Sequence, residues 1–265
     1  MTRRKVWVLA AQVAVFIIVF GGWQLFTSLK IVDPFFFGQP SGVVSKLADW
    51  AKHGTGFGSI WLQVWTTMEE AILGFVIGVA GGVVLGVLLG QVRFLSDVLS
   101  PYIKAVNALP RIVLGSIFLI FLGLGTTSKV VLAAVLVFFV VFFNAFQGVR
   151  EVDGNLIANV RILGASRLAV VRNVVLPSAL TWIIASLHVA FGFAIIGAIV
   201  GEFLGAQHGL GLIISNAQNN FDADGVFAAM LIIGVLALTA EWLIGLLERR
   251  LLAWRPQAQT EARAA

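Results

Sequence analysis

Few side chains in this sequence are suited to chemistry, and those few are scattered. His188 lies inside a long apolar run, Glu202 at the end of the same run, Glu241 inside a later one, and Glu69-Glu70 at the entry to an earlier one. An ionisable group within an apolar run is costly, and it marks either a path or a polar contact between helices. His188 and Glu202 are therefore candidates for lining a path; a neutral His188 bonded to a neighbouring helix is an equal alternative. Glu241 stands within two turns of Arg249 and fits an interfacial position. Glu69-Glu70 fit a helix start, where acids answer the positive end of the dipole. No H-E-x-x-H or G-x-S-x-G occurs, so the common hydrolase patterns lack support. There is no cysteine, which removes disulfides and thiolate ligands. There is also no G-x-x-x-x-G-K-[ST] to cradle a nucleotide phosphate. If ATP drives this chain, another polypeptide holds it.

The most informative polar stretch is ANVRILGASRLAVVRNVVLP, Ala158 to Pro177. It separates two long apolar runs. Its residues predict two short helices bent at Gly164-Ala165-Ser166. Gly164 supplies positive-φ freedom for the corner, and Ser166 can cap the second helix. Leu168, Val171, Val174 and Val175 recur at helical spacing and predict one apolar face, with Arg161, Arg167 and Arg172 on the polar side. Pro177 ends this helix or opens the next.

The elements that would hold these residues are membrane helices. The chain is 59% hydrophobic and 12% charged, far below the roughly 25% charge of soluble domains. Its apolar runs are continuous, which favours helices over a strand barrel. Six spans are expected: 6–29, about 71–89, 105–124 with Pro110 near its start, 130–146, 180–200 and 226–247. The first is too long for a signal peptide and lacks a small-residue cleavage site. Residues 30–61 read as an external segment with a short amphipathic helix over 43–52, carrying Val43, Val44, Leu47 and Trp50 on one side. Trp50, Trp61 and Trp65 suit an interfacial belt. Gln91 to Lys104 reads as a polar connector, residues 213–217 as an external or partly inserted helix, and 256–265 as a disordered tail.

Gly74, Gly78, Gly82, Gly86 and Gly90 stand four apart in the second span and form one ridge about 24 Å long. Small residues let helices approach closely in lipid; packing within one chain is favoured here over a contact between copies. Gly197, Gly201, Gly205 and Gly209 repeat the spacing later. Of the 18 Lys and Arg, an inside N-terminus puts fourteen on the cytoplasmic side and four (Lys30, Lys46, Lys52 and Lys129) outside. This positive-inside bias places both termini in the cytoplasm. It also explains the net charge of +5 without nucleic acid.

The stretch around Gly164 resembles the coupling loop of ABC importer permeases, whose pattern runs E-A-A-x-x-x-G, nine residues, then I/V-x-L-P. Gly164 and the terminal Val174-Val175-Leu176-Pro177 match it, while Ala158-Asn159-Val160 replace the opening Glu-Ala-Ala. Leu109-Pro110, Gly148 to Asp153, Gly201 to Gly205, Gly209-Leu210-Gly211 and Leu246 to Arg250 extend the likeness. They resemble the nitrate, sulfonate and taurine subfamily, over about Pro40 to Trp254. The resemblance implies an all-α type I importer permease, a single domain over 1–265 with a cytoplasmic loop at 150–177 in the bacterial inner membrane. Ala158, Arg161, Leu163, Gly164, Ala165, Ser166, Arg167 and Pro177 would form the part that engages an ATPase. It implies a homodimer with two cytoplasmic ATPases, which carry the ATP and magnesium, and an external solute-binding protein. The cargo would be a small organic or inorganic anion, such as nitrate, a sulfonate, taurine or an aromatic carboxylate; some members carry pyrimidine-type vitamin precursors. Without the resemblance, the loop also reads as an amphipathic linker on lipid headgroups. The chain then reads as a gradient-driven transporter, or as a membrane enzyme lacking a clustered catalytic set.

Overall fold

A computed structural model describes residues 3–251; the expected tail at 256–265 and the basic residues Arg255 and Arg263 lie outside them. Among the described residues the chain is helical throughout, in the order α1 (Arg3–Ser28), α2 (Pro34–Phe37), α3 (Pro40–His53), α4 (Ile60–Gln91), α5 (Arg93–Ala108), α6 (Arg111–Leu122), α7 (Thr126–Arg150), α8 (Gly154–Ile162), α9 (Arg167–Val170), a π-helical turn (Val171–Val175), α10 (Leu176–Leu204), α11 (Leu210–Asn219) and α12 (Ala223–Leu251). Five of these helices are long and apolar enough to cross a membrane, and a bent pair brings the total to six if counted as one span.

Close approach of α4, α7 and α10 builds the core. A Cβ added at Gly74 would lie 2.4 Å from the Ala133 Cβ, at Gly78 2.6 Å from Val137, at Gly82 2.9 Å from Val141, at Gly86 2.8 Å from Ala145 and at Gly90 2.8 Å from Val149. The glycine ridge of α4 therefore beds on α7 of the same chain, where backbone-to-backbone proximity multiplies dispersion contacts. Gly197 and Gly201 of α10 press on Ala133 and Lys129 of α7 from the other side. Val137, Val141, Ala190, Ala194 and Ala198 fill the centre, all buried. By contrast α1 leaves its apolar side chains exposed, Phe16 and Ile18 among them, as a lipid-facing helix does.

The structure corrects the sequence reading at several points. The expected third span breaks at Leu109-Pro110, where α5 and α6 meet at 90°. Pro110 has no N–H to continue the ladder, and Leu109 before it sits at ψ 138, the extended conformation a following proline imposes. The twelve residues of α6 reach only about 18 Å. The polar connector from Gln91 is largely α5. The second span starts eleven residues before Ala71: Ser59 caps α4 by accepting from the Trp61 N–H. Glu69-Glu70 are thus mid-helix and do not open it. Thr66, inside this added stretch, returns its hydroxyl to the Leu62 carbonyl at 2.9 Å. Trp50 is buried with Val43, Ile60, Leu210 and Ile213, whereas Trp61 and Trp65 are exposed. Val44, expected on the apolar side of α3, faces outward. Lys129, counted among the outer basic residues, is buried in the first turn of α7.

Candidate functional site

The loop between α7 and α10 is built residue by residue as a rigid corner. Asp153 caps α8, its carboxylate accepting from the Asn155 N–H at 2.8 Å. At the other end Gly164 adopts φ +87°. The Gly164 N–H donates to the Arg161 carbonyl at 2.9 Å, and the Ala165 N–H reaches back to Val160 at 3.2 Å. This pair of bonds is the Schellman ending that a left-handed glycine permits, and Val160 and Ala165 pack together against the same apolar cluster. Ser166 then accepts from the Ala169 N–H at 3.3 Å, opening α9 at Arg167. Val174 and Val175 are buried in the π-helical turn, while Leu168 is exposed. Pro177 takes the second position of α10, where its missing N–H is harmless. No break separates α9, the π-helical turn and α10, so a displacement of the corner enters α10 directly.

The corner leaves apolar side chains uncovered by the rest of the chain. Ile162 is 83% exposed, Leu163 85% and Leu168 76%. Exposed apolar side chains grouped on a capped corner form a surface suited to a protein or membrane partner. Ala158 is also exposed, on α8 beside this tip, whereas Ala165 turns partly inward.

At the opposite end of α4 lies a polar cluster that sequence reasoning assembled only in part. Glu202 of α10 is fully buried. It accepts from the Thr67 hydroxyl and from the Gly211 N–H, each at 2.7 Å. Gln63 accepts from the Gly209 N–H at 2.7 Å, and Thr67 from the Leu210 N–H at 2.9 Å. Three backbone donors at the start of α11, which would otherwise be orphaned, are thereby satisfied by side chains of α4 and α10. Gly209 has φ +117°, and a Cβ there would sit 2.1 Å from the Glu202 carboxyl carbon. Glu70 lies within hydrogen-bonding reach of Glu202, with Lys129 close enough to both to interact electrostatically. The Lys129 ammonium donates to the Leu124 and Gly125 carbonyls. Glu202, a candidate for the path, thus clamps α11 in this structure. Gln63 and Thr67 were missed, and Glu70 and Lys129 were assigned to a helix start and to the outer charge. The signal was present: 63, 67, 70 and 74 continue the glycine ridge at helical spacing.

His188 faces α12. Its two ring nitrogens stand 2.7 Å from Glu241 and 3.1 Å from Glu248, one on each side. The two acids are seven residues apart on one face of α12, so the imidazole bridges two turns of that helix to α10. His188 and Glu202 are not brought together; His188 sits near the middle of α10 and Glu202 near its C-terminal end.

Residues 82–253 match the family described as "Binding-protein-dependent transport system inner membrane component". The chain is 34% identical to the riboflavin transport system permease protein RibX of Chloroflexus aurantiacus, over 88% of this chain and 85% of that one. It is 31% identical to the aliphatic sulfonates transport permease protein SsuC of Escherichia coli, over 88% of both. In fold it is similar to the inward-facing MetNI methionine ABC transporter, with TM-score 0.59, 21% identity, and coverage of 72% of this chain and 94% of that one.

Proposed function

Since the chain belongs to the binding-protein-dependent inner membrane components, the permeases of ABC importers, and is a transport subunit rather than an enzyme, we propose that it is a six-span half of an ATP-driven import pathway for a small solute, an organic or inorganic anion foremost. The broken pair α5 and α6 counts as one span in this reading. Both termini then lie in the cytoplasm, as the charge distribution favours, and the chain acts as a single permease domain paired with a second copy. Two ATPases, which hold ATP and magnesium, engage the corner at Gly164 from the cytoplasm. A loaded solute-binding protein docks on the outer segments.

The observation that carries the reading is the corner itself. It shows three apolar side chains, Ile162, Leu163 and Leu168, on a Schellman-closed turn continuous with α10. A helix pair that merely rested on headgroups would need no unbroken helical link to a membrane helix. ATP binding biases a two-state membrane element only through contacts that differ between its states, and a stiff lever from the corner into α10 supplies that difference.

The test is affinity purification of the tagged chain from native membranes, with partners identified by mass. Recovery of an ATPase and a solute-binding protein is the expected result, and the ligand eluted from that binding protein identifies the cargo class. A stable chain without an ATPase, whose uptake follows an ion gradient, would replace this reading with a gradient-driven transporter.

A further inference from the structure

Behind the corner, on the side away from the exposed tip, lies a cavity of about 680 Å³. The ends of α4 (Gly90 and Gln91) and α7 (Val149 and Arg150) form one wall, and Val170, Val171 and Val175 of α9 and the π-helical turn form another. The inner face of α8 closes it through Gly154, Ile157 and Arg161, which recur at three and four residues and so share one side of that helix. The volume falls within the range of small-ligand sites.

The chemistry of the lining is specific. Two arginines, Arg150 and Arg161, stand in a lining rich in valine, with Ile157 and Gln91 beside them. Among the described residues neither has an acidic partner. The nearest acids in sequence are engaged elsewhere: Glu151 accepts from the Gln147 amide at 2.8 Å, and Asp153 caps α8. Arg150 is held over the Phe146 ring at 5.0 Å, which orients a guanidinium while leaving its N–H edge available. Two uncompensated guanidinium groups beside apolar walls at the end of a membrane helix suit a phosphodiester with an acyl chain attached. Basic pockets between membrane helices on the cytoplasmic side take such headgroups.

We propose that this cavity binds the headgroup of an anionic phospholipid of the cytoplasmic leaflet, with Arg150 and Arg161 on the phosphate and the apolar wall against the first part of an acyl chain. The leaflet assignment rests on the orientation given under Proposed function. A lipid seated there touches the inner face of α8 and the π-helical turn at once, and so stiffens the lever between the corner and α10. Arg161 then serves the lipid rather than the ATPase, because it lines the cavity together with Gly154 and Ile157.

The test uses the full-length chain in nanodiscs of phosphatidylcholine containing a minor fraction of phosphatidylglycerol, with retained lipid measured by native mass spectrometry. The expected result is preferential retention of phosphatidylglycerol, reduced about thirtyfold in Arg150→Gln/Arg161→Gln, the effect of two cationic contacts with an anionic lipid. Arg150→Lys/Arg161→Lys keeps most of the preference, and Arg172→Gln, outside the lining, keeps all of it. Equal retention of the two lipids, or equal loss in the Arg172 variant, overturns the proposal. Displacement of the lipid by inorganic phosphate overturns it in favour of a soluble anion. Because the chain has no cysteine, Asn155→Cys reports orientation separately. Labelling by a membrane-impermeant maleimide only after the membrane is opened is expected. Labelling in intact cells would refute the orientation and with it the leaflet, whatever the lipid data.

Discussion

The two ends of α4 are built on opposite plans. At the α11 end, Gln63, Thr67 and Glu202 turn inward, and nearly every buried polar atom has a partner; Glu70 Oε2 is the exception among the described residues. At the α8 end, Ile162, Leu163 and Leu168 turn outward with no apolar neighbour to cover them. Buried polar networks in low dielectric hold one geometry because each broken bond strands a group without water. Exposed apolar side chains on a capped corner contribute little to the chain that carries them and await another surface. The first region therefore fixes the bundle, and the second is available to be pushed. Stability and function should respond in reverse order to substitutions at the two ends.

The largest loss of stability is expected from Glu202→Ala. It strands the Gly211 N–H and uncovers Glu70 and Lys129, at roughly 1–3 kcal/mol for each unsatisfied buried group. Thermal unfolding of the purified chain should show a drop of many degrees, and an unchanged midpoint would remove the clamp from the account. Gly78→Ala comes next. Its Cβ would meet the Ala134 carbonyl and Val137 at 2.6 Å, and such overpacking costs about 1–3 kcal/mol. The same change at Gly192, which has no neighbour within 4 Å, should leave the unfolding midpoint unmoved; equal effects at both positions would refute the ridge as the α4–α7 contact.

Gly164→Val should cost less overall, about 1–2 kcal/mol for a β-branched residue held at positive φ. Open space surrounds the position, so the strain stays local while the corner loses its shape. Membrane insertion should persist and solute uptake should fall; normal uptake would mean the corner is not the lever. The smallest stability effect belongs to Leu163→Asp, within about 0.5 kcal/mol for an exposed site. Yet this variant should lose the ATPase in affinity purification. An ATPase recovered at wild-type yield would break the contrast between the two ends.

Much of this was legible without coordinates. The corner at Gly164, the cap at Ser166 and the role of Pro177 follow from local backbone chemistry, and local rules survive any tertiary context. The glycine ridge was readable as a close helix contact because spacing by four persists on one helix face. The start of α4 was not, because Thr66, Thr67 and the two glutamates look like a solvent boundary when taken one at a time. Thr66 bonds within α4, and Thr67 bonds Glu202 of α10 and the Leu210 N–H of α11, partners that a sequence window does not contain. Trp50 misled for a related reason. Tryptophan suits an interface belt, and only the packing of α3 on α11 and α12 decided that this one is buried.

By itself, then, the sequence determined an all-helical membrane chain, the sign and place of its charges, and the conformation of one glycine corner. Each depends on residue type and short spacing alone. Tertiary structure decided that Glu202 clamps α11, that His188 spans Glu241 and Glu248, and that Arg150 and Arg161 share one cavity. The bonds of Glu202 to Thr67 and of His188 to Glu241 and Glu248 join residues far apart in the chain, and their energies arise only where packing removes water and brings the partners within hydrogen-bonding distance.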